Sequence, residues 1–345
     1  MLATTAKRTT PRMPTMPDAR TNATPADMAA LLGSCESLAI CGHVNPDGDC
    51  LGSELALAAA LRAVGKQVTV LLAKDAPVEE GLHFLPGFGD LVPASRYEGT
   101  PDAFVYVDVS VRERVGDAAA VADRAPRRFV IDHHAGTEQL ADRYYIDPSA
   151  ASCSLLIWEV IAELGVAPTA DIALCAYTGL MTDTGRFQFQ NTDARAFQAA
   201  GEMVAAGAQP ALAAREFFQN RSLASLQLEQ RMVQRMRFLG DGVCAFSYIT
   251  LDDYAECGAV DADAEALIDT LRSLRGIRVA CLLKERPDKV RGSLRAKDDD
   301  TDVASLANEL GGGGHRAAAG FTLRLPLEES IARVQGLLEE LCASE

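Results

Sequence analysis

The chain has 345 residues, with 33 Lys and Arg against 48 Asp and Glu and a formal net charge of −15. That length suits two domains of about 100–200 residues each, and 48% hydrophobic with 23% charged residues excludes a largely disordered chain. No apolar run approaches the ~18 residues of a membrane span, and the acidic balance argues against stable duplex-DNA binding, which rests on neutralised phosphates.

Residues 1–25 are rich in Thr, Pro, Ala and Arg, with no periodicity and no secretory h-region, and read as a disordered N-terminal tail. From residue 26 short apolar strands alternate with helices. Strands are expected at 37–41, 67–73, 103–109 and 127–131, and helices at 51–64, 152–164, 170–181 and 193–206. Almost wholly apolar strands in this alternation indicate an α/β domain with a parallel sheet covered on both faces, spanning 26–210. Residues 211–239 read as a helical linker. A smaller α/β domain, 240–345, follows, with a strand at 242–250, a helix at 263–274, a hairpin of 277–285 and 289–297, a helix at 302–310, a glycine run, a strand at 320–325 and a helix at 327–342. The nine cysteines are scattered and form no C-x-x-C pair, which points to thiols in a reducing cytoplasm.

The chemistry gathers at strand ends, where ligands of open α/β sheets bind. His43, Asp47 and Asp49 fall within seven residues around the turn formers Asn45-Pro46 and Gly48, between a strand and a helix. Asp108 ends the next apolar strand, Asp132-His133-His134 ends another, and Asp183-Thr-Gly185 stands where a helix stops. A lone strand-end Asp is most often a cap or turn residue. Several such residues converging on one sheet edge fit a polynuclear metal site better. Imidazole with carboxylate suits Mn²⁺, Fe²⁺ or Zn²⁺. Two ions would use this many donors, clamp the oxygens of an in-line displacement at phosphorus and acidify water. No G-x-S-x-G or Cys/His signature suggests a protein nucleophile. His83, outside these clusters, reads as structural.

The second half carries a basic stretch. Residues 271–297 hold nine basic side chains against two acidic ones. Strand alternation puts Arg291, Ser293, Arg295 and Lys297 on one face, suited to phosphate. A charged, solvated strand edge fits that pattern equally well. The run Gly311-Gly312-Gly313-Gly314-His315 offers bare backbone N–H groups for an anion. It is not a Walker A loop, because no G-K-[ST] follows.

Taken together, His43-x-Asn-Pro-Asp47-x-Asp49, Asp108, Asp132-His133-His134, Asp183-Thr-Gly and Gly-Gly-Gly-His315-x-x-Ala-Ala-Gly320 resemble the DHH phosphoesterase superfamily with its C-terminal DHH-associated domain. The resemblance runs from about residue 30 to the C-terminus. It is greatest to the bacterial oligoribonuclease and pAp phosphatase (NrnA-type) group. That resemblance implies an active-site cleft between the two domains. It implies hydrolysis of short RNAs and linear dinucleotides such as pApA or pGpG to mononucleotides, and of 3′-phosphoadenosine 5′-phosphate (pAp). It assigns His43 and Asp47 to one Mn²⁺ (Mg²⁺ or Co²⁺ as substitutes), and Asp49, His133 and Asp183 to a second, with Asp108 bridging. Asp132 would orient the histidines and His134 would contact the scissile phosphate. Arg295 and His315, with the Gly312, Gly313 and Gly314 backbone, would hold the rest of the substrate, and a homodimer is a reasonable assembly. The acidic Asp298–Asp300 turn and the tail depart from the pattern. A pyrophosphatase or polyphosphatase of the same fold would lack the glycine loop. A nucleotide sensor without activity would lack metal ligands, all of which are present.

Overall fold

The structure, a computed structural model, describes residues 21–136, 138–298 and 300–343. The chain divides into two compact units between Phe217 and Phe218.

The first unit is built on six parallel strands: β1 (Ser37–Cys41), β2 (Gln67–Leu72), β3 (Val92–Pro93), β4 (Ala103–Val107), β5 (Arg127–Asp132) and β6 (Arg143–Ile146). Their order is β3-β2-β1-β4-β5-β6. The order reverses between β1 and β4, so the crevice for a ligand opens at the carboxyl ends of those two strands. Around the sheet lie α1 (Pro25–Gly33), α2 (Gly48–Ala63), α3 (Ala119–Arg124), α4 (Cys153–Glu163), α5 (Ala170–Asp183), α6 (Ala194–Ala205) and α7 (Pro210–Phe218). The β4 strand is buried along its whole length, as a strand covered on both faces must be. One face packs Phe104, Tyr106, Val130, Tyr144 and Ile146 into a core.

Strands β3 and β6 and helices α1 and α3 were not expected from the sequence. Strand β6 is short, and α1 begins at the last residue of the expected tail. Most of that tail, residues 1–20, lies outside the described residues. Its end does not hang free: Asn22 N–H donates to the Tyr144 carbonyl at 3.0 Å, and Tyr144 N–H donates to Asn22 Oδ1 at 2.8 Å. The segment therefore satisfies the open edge of β6. Helix α1 then starts on a Thr24–Asp27 capping box with Pro25 in its first turn.

The second unit holds a mixed sheet ordered β11-β12-β10-β9-β8-β7. Its strands are β7 (Arg237–Leu239), β8 (Cys244–Ile249), β9 (Val279–Arg286), β10 (Lys289–Ala296), β11 (Gly313–His315) and β12 (Ala318–Leu323). Its helices are α8 (Leu223–Gln234), α9 (Leu251–Cys257), α10 (Leu267–Ser273), α11 (Val303–Glu309) and α12 (Leu327–Ala343). The 211–239 stretch is thus not helical throughout, because Arg237–Leu239 pairs with β8. The expected 263–274 helix is a 3₁₀ turn, Asp261–Ala264, followed by α10. Core residues of β9 point alternately to α11 and α12 on one side and to α8–α10 on the other, whereas those of β10 all join the α11–α12 side. No helix among the described residues is long and apolar enough to cross a membrane.

Candidate metal centre and anion site

In the first unit the strand-end residues converge. Helices α2 and α5 approach at two glycines: a Cβ on Gly52 would lie 2.5 Å from the Cys175 carbonyl oxygen and 3.0 Å from Gly179 N. That close packing brings Asp49, near the start of α2, to Asp183, the last residue of α5. His133 Nε2 stands among three carboxylates, 3.5 Å from Asp108 Oδ1, 3.5 Å from Asp183 Oδ2 and 3.8 Å from Asp49 Oδ2. On the other side of Asp108, His43 Nε2 lies 3.4 Å from Asp108 Oδ2 and 3.6 Å from Asp47 Oδ2. His134 Nδ1 lies 3.5 Å from Asp108 Oδ1 and 2.7 Å from Asp132 Oδ1. All seven residues expected at this centre, with Asp132, are therefore in one place, and Asp108 is its hub.

Local backbone chemistry aims the carboxylates. Asp47 divides its oxygens: Oδ1 caps α2 by accepting from Asp49 N–H and Cys50 N–H, while Oδ2 faces His43. Asp49 accepts from the first amides of α4, Cys153 N–H at 2.6 Å and Ser154 N–H at 2.9 Å. A helix N-terminus favours such an anion. Asp108 takes a left-handed backbone, φ 55°. That conformation is uncommon outside glycine, although Asp and Asn tolerate it best, and it collects at functional positions. His133 Nδ1 is 3.3 Å from the Ala150 carbonyl, which leaves Nε2 toward the carboxylates. Asp132 is fully buried and also accepts from the His134 main-chain N–H at 3.1 Å, so it holds His134 at both ring and backbone.

The electrostatics are those of a site short of positive charge. Burial, then the Asp108 charge, push Asp49 up to about 6, and burial holds Asp183 well above the usual carboxylate range. Burial disfavours the His43 imidazolium, but Asp108 and Asp47 outweigh it and raise His43 to about 10. Asp108 Oδ1 and His43 Nδ1 are buried with no hydrogen-bond partner. Among the described residues three donor sets could each hold a cation: His43, Cys50 and Asp108; Asp108, His133 and His134; and Asp49, His133 and Asp183. The donors present therefore fit divalent metal. Cys50 was not expected here; burial raises its thiol well above the usual range, which leaves it a weak ligand beside the carboxylates. Glu54 was also missed. It is buried behind the cluster, accepts from Gly42 N–H, and burial pushes it up to about 8. His83 sits apart, its Nε2 3.2 Å from the Val78 carbonyl and its ring against Phe88.

In the second unit the expected hairpin is present, with Arg286 opposite Lys289. Val290, Gly292, Leu294 and Ala296 are buried, and Arg291, Ser293 and Arg295 share the other, half-buried face. Arg291, Ser293, Gly312, Gly320 and Thr322 line a cavity of about 220 Å³. Part of the basic excess is spent on structure. Arg272 donates to the Ala296 carbonyl, Lys297 to the Leu274 carbonyl, and Arg278 pairs with Asp298. Asp299 lies outside the described residues, and Asp298 also caps Thr301. The glycine run departs from four bare amides. Gly311 N–H donates to Asn308 and Gly312 N–H to Ala307, closing the end of α11, whose last carbonyls need donors. Gly313 and Gly314 pair with Gly320 and Ala319 in β11. Gly312 must still be glycine, since a Cβ there would lie 2.6 Å from Phe321 Cα. The backbone of His315 belongs to β11; its side chain lies outside the described residues.

Residues 37–180 match the DHH family, N-terminal domain, and residues 247–344 the DHHA1 domain. The chain is 31% identical to the bifunctional oligoribonuclease and PAP phosphatase NrnA of Thermus thermophilus, over 88% of this chain and 89% of that protein. The chain belongs to the DHH family. The DHH-family protein of the same name from Bacillus subtilis is 29% identical over 87% of this chain and 93% of its own length. Among solved structures, an exopolyphosphatase-related protein from Bacteroides fragilis aligns with a TM-score of 0.85 at 24% identity, covering 92% of this DHH chain and 97% of that one. That likeness establishes the fold.

Proposed function

We propose that this DHH phosphoesterase hydrolyses very short RNAs and linear dinucleotides to mononucleotides, and removes the 3′-phosphate of pAp, in the cytoplasm. The observation that carries the reading is the convergence of three imidazoles and four carboxylates on Asp108 at the sheet's switch point. His43 and Asp47 would hold one divalent ion, most suitably Mn²⁺, and Asp49, His133 and Asp183 a second, with Asp108 shared. When bound, the ions would supply positive charge to the phosphate and a water of lowered pKa.

The protein's own groups do the positioning. Asp49, held by two α4 amides, and Asp47, held by its capping bonds, are fixed before substrate arrives, so little reorganisation is left for the reaction. His134, gripped by Asp132 at Nδ1 and at its main chain, would offer Nε2 to an oxygen of the scissile phosphate. We assign the hold on the substrate's remaining phosphate to Arg291, Ser293 and Arg295 with Gly312–His315, a reading supported by the cavity beside that row. The names of the relatives agree with substrates of this class.

A length series of 5′-phosphorylated RNAs with Mn²⁺ tests the reading. Mononucleotide release should be fastest from two to a few nucleotides. Equal rates on a dinucleotide and on a long single strand would contradict it.

A further inference from the structure

On the second sheet, like charges stand directly opposite one another. Lys284 of β9 is in register with Arg291 of β10, and Arg295 follows on the same face. Such cross-strand pairs are destabilising, and a buried ammonium is costly unless paired. Lys284 is only 1% exposed. Its Nζ lies 2.8 Å from Glu265 Oε1, a carboxylate that can meet only part of the demand of its three N–H donors. The same Glu265 oxygen is 3.7 Å from Arg291 Nη1, which is also 3.3 Å from Asp261 Oδ2. Arg295 donates to the Leu294 carbonyl at 3.0 Å and has no carboxylate partner among the described residues. Glu265 thus faces both Lys284 and Arg291, Asp261 shares Arg291, and Arg295 has no carboxylate of its own among the described residues. Burial lowers the Lys284 pKa, Glu265 opposes the fall, and Arg291 and Arg295 add to it. Beside this cluster opens the cavity of about 220 Å³ that Arg291 and Ser293 line.

We infer that Glu265 occupies, in the free protein, the place where the substrate's terminal phosphate docks, and that Lys284 is a further cation of that site, reached when phosphate replaces the Glu265 carboxylate. The inference rests on the function proposed above and adds a specificity to it. A phosphate monoester carries a charge of about −1.5 to −2 at pH 7, whereas a carboxylate or an internal phosphodiester carries one negative charge. Two cations sharing one carboxylate oxygen gain by exchanging it for a monoester. The second unit therefore selects short nucleotides that end in a phosphate over those that end in a hydroxyl. Glu265 sets the threshold, because any weaker anion fails to displace it.

The test is steady-state kinetics with Mn²⁺ on one RNA dinucleotide with and without its 5′-phosphate, for the unsubstituted protein, Glu265→Gln and Lys284→Met. Removing the competing carboxylate should lower KM for the phosphorylated dinucleotide about fivefold, the scale of a partly exposed ion pair. Losing the buried cation should raise that KM about tenfold or more, the scale of a charge-assisted hydrogen bond. The dinucleotide without the phosphate should move less than about twofold in either variant, since it lacks the group that meets this charge. A rise in KM for Glu265→Gln would overturn the inference, because Glu265 would then be holding Arg291 in place rather than competing. Equal shifts for both dinucleotides would overturn it too. Glu265→Gln changes a half-exposed side chain and keeps the test decisive if Lys284→Met does not fold. Cleavage of neither dinucleotide by the unsubstituted protein would instead overturn the proposed function, and this inference with it.

Discussion

Gly52 of α2 and Gly179 of α5 face one another so closely that a single methyl on Gly52 would press on the Gly179 main chain at 3.0 Å and the Cys175 carbonyl at 2.5 Å. A Cβ on Gly179 would lie 2.8 Å from Asp49 Oδ1. The spacing of the two helices is thus also the spacing of Asp49 and Asp183. Gly52→Ala should cost about 1–3 kcal/mol of stability by overpacking. It should also weaken Mn²⁺ binding, measured by titration calorimetry. Unchanged Mn²⁺ affinity in a destabilised variant would show that the helix contact does not set the metal geometry.

Asp132→Asn keeps the shape but not the charge at His134. If Asp132 acts by orienting that ring, kcat should fall about 10–100-fold, the range for residues that support metal-site imidazoles. The KM for dinucleotide should change little. A loss confined to KM would assign Asp132 to substrate binding instead.

Metal affinity should rise with pH. In the metal-free protein His43 holds a proton up to about 10 and Asp49 up to about 6, and a cation must displace those protons. Mn²⁺ titrations at pH 7.5 in two buffers of different ionisation enthalpy should therefore show proton release. Affinity that is flat from about pH 6 to 9 would contradict the assignment of His43 as a ligand. Bound Mn²⁺ should also raise the Tm, and chelation should return it to the metal-free value.

Glu54 supplies a stability prediction with a defined sign. Its folded pKa, about 8, lies above its ordinary value of 4.5. Between those values the native state holds a proton that the unfolded chain releases. This group's contribution therefore falls as pH rises through the window, by up to about 1.4 kcal/mol per unit. Glu54→Gln removes that slope, so the variant should gain on the unsubstituted protein between pH 6 and pH 8 in urea unfolding. A constant difference at the two pH values would mean that Glu54 is ionised in the fold.

Much of this centre was legible because its contributors stand where a buried apolar strand or helix begins or ends and composition changes within a residue or two, as at Val107-Asp108 and Ile131-Asp132. What escaped the sequence reading depends on residues distant in the chain. The Cys153 and Ser154 amides that hold Asp49 carry no side-chain signal, and Glu54 lies on an otherwise ordinary Ala- and Leu-rich helix. Strand β6 and strand β7 are too short for periodicity to speak, although the Thr24-Pro25-x-Asp27 cap of α1 was readable. The basic row is less positive than residues 271–297 alone imply, because Asp261 and Glu265 reach it from the preceding segment. Nothing in the glycine run itself signals that two of its amides close the end of α11.

The most direct test of the central claim is hydrolysis, with Mn²⁺, of three substrates side by side: a 5′-phosphorylated RNA dinucleotide, pAp and pyrophosphate, each with Asp108→Asn as control. Asn tolerates the left-handed backbone at this position, so the variant should fold while losing the shared carboxylate. The account predicts turnover of the dinucleotide and pAp, with a loss in the variant beyond the roughly 100-fold of a supporting residue. Turnover of pyrophosphate alone, or undiminished dinucleotide cleavage by Asp108→Asn, would contradict it.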